Sequence, residues 1–149
     1  MKIAIASDHA AIELKAAIAK ALKAEGHEVD DQGPADASRV DYPDFARKVA
    51  AQVAGGHAQF GVLVCGSGIG MAISANKVRG IRAAVIHDAW EAEMSRRHNN
   101  ANVACFGQRS MGEDRVIHAL KAFLATSFEG GRHADRVAKI AGLEAENAR

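Results

Sequence analysis

The chain has little cysteine, no long apolar run and no excess of charge of one sign, and each lack excludes a class of protein. Two cysteines among 149 residues give no disulfide framework and fit a reducing compartment. No apolar stretch approaches the roughly 18 residues of a membrane span, and no signal-peptide core follows the first residue. A net charge of +1 produces no field that would gather nucleic acid or membrane. We therefore expect a cytoplasmic protein with a local anion site and neither of those two partners.

Length and periodicity predict the fold class. A chain of 149 residues has the size of one domain that buries a full core without disulfide or metal staples, so we expect a single domain over 1–149. Short apolar runs alternate with stretches of helical period, such as 90–98 and 132–146. This alternation is typical of an α/β protein whose parallel sheet is covered on both faces. The predicted strands are 3–6, 28–30, 60–64, 82–86 and 103–106.

A glycine turn after the third predicted strand stands out. It runs from Cys65 to Gly70, with glycine at Gly66, Gly68 and Gly70. Alternate glycines let successive N–H groups face one concavity, and the start of the next helix adds partial positive charge. The carboxyl end of a parallel strand is also where open α/β sheets bind ligands. The turn therefore predicts an anion site, with Cys65 as the candidate chemical centre.

Two kinds of nucleotide-binding loop are alternatives for this turn. The absence of a following Gly-Lys-Ser/Thr excludes a P-loop, and Met71 stands where the dinucleotide pattern requires its third glycine. Asp88 follows Gly66 at a spacing that would suit a ribose-binding acid. That carboxylate keeps a nicotinamide site open as a minor alternative.

Eight motifs occur in order along nearly the whole chain: Ser7-Asp8-His9, Asp41-Tyr42-Pro43, Cys65 to Met71, Ala75-Asn76-Lys77, Gly80-Ile81-Arg82, Ser95 to Asn99, Phe106 to Arg109 and Glu129 to His133. Together they resemble ribose-5-phosphate isomerase type B, within the sugar-phosphate isomerase family that includes galactose-6-phosphate and allose-6-phosphate isomerases. The resemblance implies a three-layer, Rossmann-like, doubly wound sheet of five parallel strands. It also implies a homodimer with active sites between subunits, a sugar-phosphate substrate, and neither cofactor nor metal.

Aldose–ketose interconversion requires a base and a cradle for a negatively charged enediolate. We expect Cys65 to be the base and the N–H groups of 67–70 to form the cradle. A positioned base typically raises the reaction rate about 100- to 10,000-fold, and each well-aimed donor stabilises the oxyanion by about 3 kcal/mol. The alternative for Cys65 is a small core residue, which is the interpretation we favour for Cys105. The turn residues expected to contact substrate are Gly66, Gly68, Ile69 and Gly70.

The resemblance gives His98 the opening of the sugar ring, with Asn99 holding the substrate or enediolate and the Ser67 hydroxyl assisting. His98 stands near a predicted helix end, where it could instead be a cation that satisfies the helix dipole. Asp8 is expected both to cap a helix and to contact sugar hydroxyls. Tyr42 matches the family residue that lies against the sugar, although a lone aromatic is otherwise ordinary packing.

The phosphate needs a clamp of its own. Arg132 and Arg136 are four apart on a predicted helix and share a face, and His9 or Arg109 could add donors. In isolation such a pair of arginines would be a solvated basic face. The resemblance favours the clamp.

Two functional questions stay open at this point. Some relatives use a glutamate in the helix after the glycine turn as base, but Ala75 and Asn76 occupy that region here, which supports the cysteine subtype. The leading function is ribose 5-phosphate isomerisation. The alternatives are a six-carbon sugar-phosphate isomerase, with the loop 32–39 as a candidate determinant, and a non-catalytic phosphosugar-binding module.

Overall fold

The computed structural model describes residues 1–148. Within them, five strands form one sheet in the order β2-β1-β3-β5-β4, and every neighbouring pair is parallel. The α/β sheet predicted from the sequence is thereby confirmed. The strands are β1 (Lys2–Ser7), β2 (Glu28–Asp31), β3 (Phe60–Cys65), β4 (Ala83–Val85) and β5 (Val103–Gly107).

Helices cover both faces of this sheet and divide the core in two. Ile3 and Ile5 of β1 pack into one core, whereas Ala4 and Ala6 pack into the other, as the alternation of strand side chains requires. All four are fully buried, which explains why β1 is a continuous apolar run. The helices are α1 (Ile12–Ala24), α2 (Tyr42–Ala54), α3 (Ile69–Ala75), α4 (Ala89–Asn99), α5 (Glu113–Ala125) and α6 (Arg132–Asn147), with a short 3-10 helix at His9–Ala11.

The strand order reverses between β1 and β3. The chain leaves β1 towards β2 on one side, and its later strands are added on the other side. In doubly wound sheets the connections diverge at such a point and leave a crevice outside the carboxyl ends of the strands. Asp8 and Cys65 stand at that crevice, because one follows β1 and the other ends β3.

Most helix and strand boundaries agree with the sequence prediction, and β4 is an exception. β4 is one residue shorter than predicted at each end, and the backbone N–H of Arg82 just before it donates to Asn102 Oδ1 at 2.8 Å. The Asp88 carboxylate accepts the Glu91 N–H at 2.7 Å and caps α4, so it does not support the nicotinamide alternative. No helix within residues 1–148 is long and apolar enough to span a membrane.

Candidate active site

The crevice between β1 and β3 opens into a cleft of about 620 Å³. This volume lies in the ordinary range for small-molecule sites, about 300–1,000 Å³. Residues from four segments of the chain form its walls, and eight of these ten residues were predicted from the sequence. The lining residues are Asp8, Tyr42, Cys65, Gly66, Ser67, Ile69, Gly70, Ile73, Arg109 and Ser110.

The glycine turn curls around the sulfur of Cys65. Gly68 precedes α3 with a φ of 80°, and a Cβ there would lie 2.9 Å from the carbonyl carbon of Phe106, so only glycine fits. The Gly68 N–H donates to Cys65 Sγ at 3.1 Å, and the Ile69 N–H donates to Ser67 Oγ at 3.2 Å. Two N–H groups of the predicted cradle therefore hold the sulfur and the hydroxyl of the turn itself.

An aromatic ring and a guanidinium group flank this turn. A Cβ at Gly70 would lie 2.7 Å from the ring of Tyr42, so the missing side chain makes room for the tyrosine. A Cβ at Gly66 would lie 3.6 Å from the guanidinium of Arg109, whose backbone N–H donates to the Gly66 carbonyl at 3.0 Å. The cleft consequently offers an amphipathic ring and a positive charge beside the thiol.

Asp8 and His9 occupy the same edge of the sheet. Asp8 Oδ1 accepts the Ala10 N–H at 3.0 Å, which confirms its predicted capping role, and the residue also lines the cleft. His9 Nδ1 accepts the Val40 N–H at 3.1 Å. This bond makes Nδ1 the unprotonated nitrogen in the neutral ring, so Nε2 carries the proton and is available as a donor. His9 stands beside the cleft wall rather than in it.

A second group of predicted residues lies at the opposite, amino edge of the sheet. Helix α4 runs antiparallel to the strands and ends just before Val103, where β5 starts, whereas Cys65 pairs with Gly107 at the far end of β5. At about 3.3 Å per residue, the strand alone separates the two edges by roughly 13 Å. One chain therefore does not bring this group to the cleft. Its members are His98, Asn99, Arg132 and Arg136.

His98 has a close neighbour that the sequence analysis did not single out. Its ring stacks on that of His133, with centroids 4.2 Å apart and planes 9° from parallel. His133 is 5% exposed. Burial and the adjacent His98 hold the pKa of His133 below its ordinary value, with Arg132 and Arg136 acting in the same direction and Glu129 against it. A neutral His133 is the form that stacks on its partner with least repulsion.

Sequence reasoning assigned no role to four residues around these sites, although Glu129 and His133 stand in one of the eight motifs. Ile73 and Ser110 line the cleft, and Glu129 joins His133 beside His98. Ile69 and Ile73 both lie in α3, where a spacing of four places side chains on neighbouring parts of the helix surface, and this was the available signal for Ile73. Glu129 precedes α6 and had no such helical signal, and Ser110 gave none.

Comparisons with known proteins agree with the motifs and the fold. A model described as Ribose/Galactose Isomerase matches residues 3–140. Ribose-5-phosphate isomerase B of Escherichia coli is 43% identical over 143 residues, 96% of each chain. The Clostridium thermocellum ribose-5-phosphate isomerase B structure is 47% identical, with a TM-score of 0.98 over 99% of this chain and 100% of that one. The Mycoplasma genitalium enzyme with bound ribulose-5-phosphate is 41% identical, with a TM-score of 0.93 over 97% of each chain. The chain therefore belongs to the ribose/galactose isomerase family of sugar-phosphate isomerases.

Proposed function

We propose that this protein interconverts ribose 5-phosphate and ribulose 5-phosphate by acid/base catalysis that requires no metal or cofactor. The observation that carries the proposal is the position of Cys65, whose sulfur accepts the Gly68 N–H at 3.1 Å in a cleft at the strand-order reversal. A proton-abstracting group and oriented backbone donors at one place are what an enediolate reaction needs. Family membership and the relatives named above agree with this chemistry.

The reaction moves one proton between carbons and one between oxygens. With the sugar open, the Cys65 thiolate takes the proton from C2, and the electron pair forms the C1–C2 double bond as charge moves to the carbonyl oxygen. The two cradle N–H groups that do not bond to Cys65 Sγ or Ser67 Oγ, those of Ser67 and Gly70, stabilise that oxygen in this proposal, with about 3 kcal/mol for each well-aimed donor. The sulfur then returns its proton to C1, while the O2 proton is transferred to O1. The Ser67 hydroxyl, which lines the cleft, assists this transfer in the proposal.

Ring opening comes first and requires a second group. The closed sugar opens when its ring oxygen gains a proton and the anomeric hydroxyl loses one, which suits an imidazole near neutral pH. His98 has this role in the proposal, and Asn99 beside it holds the substrate or the enediolate. Both lie at the amino edge of their own sheet, too far from Cys65 of the same chain to act on the same sugar.

A second copy of the chain resolves this separation. In a two-fold dimer, the amino-edge group of one copy reaches the cleft of the other, and the symmetry produces two equal sites. Ile69 and Ile73 at the mouth of the cleft support this arrangement, because they are 55% and 58% exposed and would be covered by a partner. The geometry of one chain and the chemistry of the reaction both support a homodimer with shared sites.

The phosphate is bound at the far end of the substrate. Arg132 and Arg136 are both exposed on the first turns of α6, near His98. In the proposed dimer they therefore lie at the same shared site as His98. Arg109 in the cleft and His9 Nε2 beside it supply the opposing donors. Binding energy from the phosphate then positions C1 and C2 over the sulfur.

The test is ribulose 5-phosphate formation from ribose 5-phosphate, with chelator present, by the native chain, Cys65→Ala and the matched control Cys105→Ala. Cys105 is fully buried in the core, so its loss removes a thiol without touching the cleft. We expect turnover by the native chain and the control, and a loss of about 100- to 10,000-fold in Cys65→Ala. An inert native chain would contradict the five-carbon assignment and make allose and galactose 6-phosphates the next substrates. Inertness towards those as well would favour a binding module.

A further inference from the structure

Three side chains with metal-binding atoms meet at the amino edge of the sheet. His98 ends α4, Glu129 precedes α6 and His133 lies in its first turn. One ligand atom from each lies within 4.8 Å of the other two. His133 Nε2 is 3.8 Å from Glu129 Oε1, and the two imidazoles are stacked. We refer to these three residues as the imidazole–carboxylate cluster.

One nitrogen of this cluster has no partner. His133 is 5% exposed, and its Nε2 makes no hydrogen bond within residues 1–148. The carboxylate 3.8 Å away is beyond hydrogen-bond range. A buried ring nitrogen without a partner is costly, and such groups in native proteins usually have a function or an unseen ligand. The nitrogen is next to a second imidazole and a carboxylate, and both are groups that bind Zn²⁺ and similar ions.

We propose that His98, Glu129 and His133 bind a divalent metal ion such as Zn²⁺. Two imidazoles and one carboxylate form a ligand set that Zn²⁺ accepts, with a fourth position left for water. Zinc bonds of about 2.0–2.2 Å place tetrahedral ligand atoms about 3.4 Å apart. The donors must therefore approach one another by up to about an ångström and a half, and the two imidazole planes must tilt out of their stack.

The cluster contains one fixed ligand and two that can move. His133 is buried and keeps its place, whereas His98 is half-buried at a helix end and the side chain of Glu129 is 55% exposed. Arg132 and Arg136 also face His133, and their positive charge opposes a cation while Glu129 offsets one of them. The site should accordingly bind zinc more weakly than a structural site with four ligands, and reversibly.

Zinc on this cluster would inhibit the enzyme, a consequence that rests on the proposed function. A metal bound to the His98 nitrogen occupies the lone pair through which the imidazole would accept a proton during ring opening. The proposed reaction needs no metal, so the ion would act as a reversible inhibitor of ring opening. Removing the ion with a chelator should restore full turnover.

Binding is measured first, without substrate. The full-length chain, stripped of metal and carrying Cys65→Ala so that this thiol cannot compete, is titrated with Zn²⁺ in a calorimeter. Glu129→Gln and His133→Asn are compared on the same background. The matched control is His87→Asn, because His87 pairs with Glu91 at 3.0 Å with the same i, i+4 spacing but lies outside the cluster. Glu129 is exposed, so its replacement leaves the fold intact even if His133→Asn does not fold.

We expect one zinc per chain, a loss of at least about tenfold in affinity in Glu129→Gln, and unchanged affinity in His87→Asn. No saturable binding, or equal binding by Glu129→Gln and its parent, would overturn the site. Turnover of ribose 5-phosphate by the chain with Cys65 intact is then measured with and without zinc. If Glu129→Gln relieves the inhibition, zinc inhibits through the imidazole–carboxylate cluster. Inhibition of equal strength in that variant would overturn this mechanism of inhibition. Zinc binding by a chain with no isomerase activity would support the site and contradict the proposed function instead.

Discussion

The two edges of the sheet carry chemistry of different kinds. At the carboxyl edge, the Gly68 N–H of the glycine turn donates to Cys65 Sγ, and the small residues of the turn allow close approach. At the amino edge, imidazole and guanidinium side chains project from the ends of α4 and α6. The first arrangement can stabilise a developing oxyanion, and the second can protonate and bind a phosphate. Neither edge alone offers everything that an isomerase needs.

The edges are also held in place by different means. Gly68 is fixed by backbone sterics, since its φ of 80° and the nearby Phe106 carbonyl exclude a side chain. The end of α4 is instead fixed by a buried cation. Arg96 donates to Asn100 Oδ1 at 2.9 Å and to the Ala101 carbonyl at 2.6 Å, with its guanidinium 4.7 Å above the ring of Phe60. Backbone geometry holds the carboxyl edge in place, and a side-chain network holds the amino edge.

The largest expected effect comes from mixing two inactive variants. Cys65→Ala and His98→Asn should each lose about 100- to 10,000-fold of the activity. When the two are refolded together, half of the dimers are mixed. With the shared sites proposed above, each mixed dimer has one intact site, composed of Cys65 from one copy and His98 from the other. We therefore expect recovery to about a quarter of native activity, measured as ribulose 5-phosphate formation.

The control for this experiment is a mixture of Cys65→Ala with a Cys65→Ala, His98→Asn double variant, which cannot make an intact site. Two affinity tags on the two chains establish that mixed dimers form. Mixed dimers without recovered activity would place both residues in one chain and contradict the shared site.

The next largest effect concerns the two cysteines on neighbouring strands. Cys65 lines the cleft, whereas burial and the neighbouring Cys65 raise the pKa of the Cys105 thiol far above its ordinary value. Because thiolate fraction falls tenfold for each pKa unit, iodoacetamide should react with Cys105 at least about 100-fold more slowly. Mass spectrometry of digested protein measures both rates, and unfolded protein, where the rates converge, is the control. Equal rates in the folded chain would contradict the contrast.

A smaller effect is expected at the phosphate clamp. Arg136→Ala should lower kcat/KM for ribose 5-phosphate by about 10- to 100-fold, the value of one or two hydrogen bonds to a charged group. The matched control is Lys139→Ala, which removes another exposed cation of α6 three residues further on. Inorganic phosphate should inhibit the native chain more strongly than Arg136→Ala. If both variants lost the same activity, the effect would be one of general charge rather than a clamp.

The sequence predicts the carboxyl edge more completely than the amino edge, for a physical reason. Strand ends and alternate glycines are local signals, so the neighbours of Cys65 can be read from one segment. Chain order likewise indicates which strand ends share an edge. The stack of His98 on His133 joins helices far apart in sequence, and nothing local indicates it. The placement of His98 at the amino edge follows from the parallel sheet, since a helix that precedes a parallel strand ends at that edge, but its contact with His133 does not.

The smallest expected effect tests the support of the amino edge. Asn100 ends α4 with a φ of 46°, the left-handed region that asparagine tolerates and alanine does not. Asn100→Ala should lower the free energy of unfolding by about 1–2 kcal/mol through this strain, in addition to the lost bond to Arg96. Asn100→Gly loses the same bond but adopts the φ freely, so it should be more stable than Asn100→Ala. Urea unfolding measures both variants. The alkylation rate of Cys65 should be unchanged in each, because the cleft lies at the other edge of the sheet. A slower or faster Cys65 would show that the two edges are coupled within one chain.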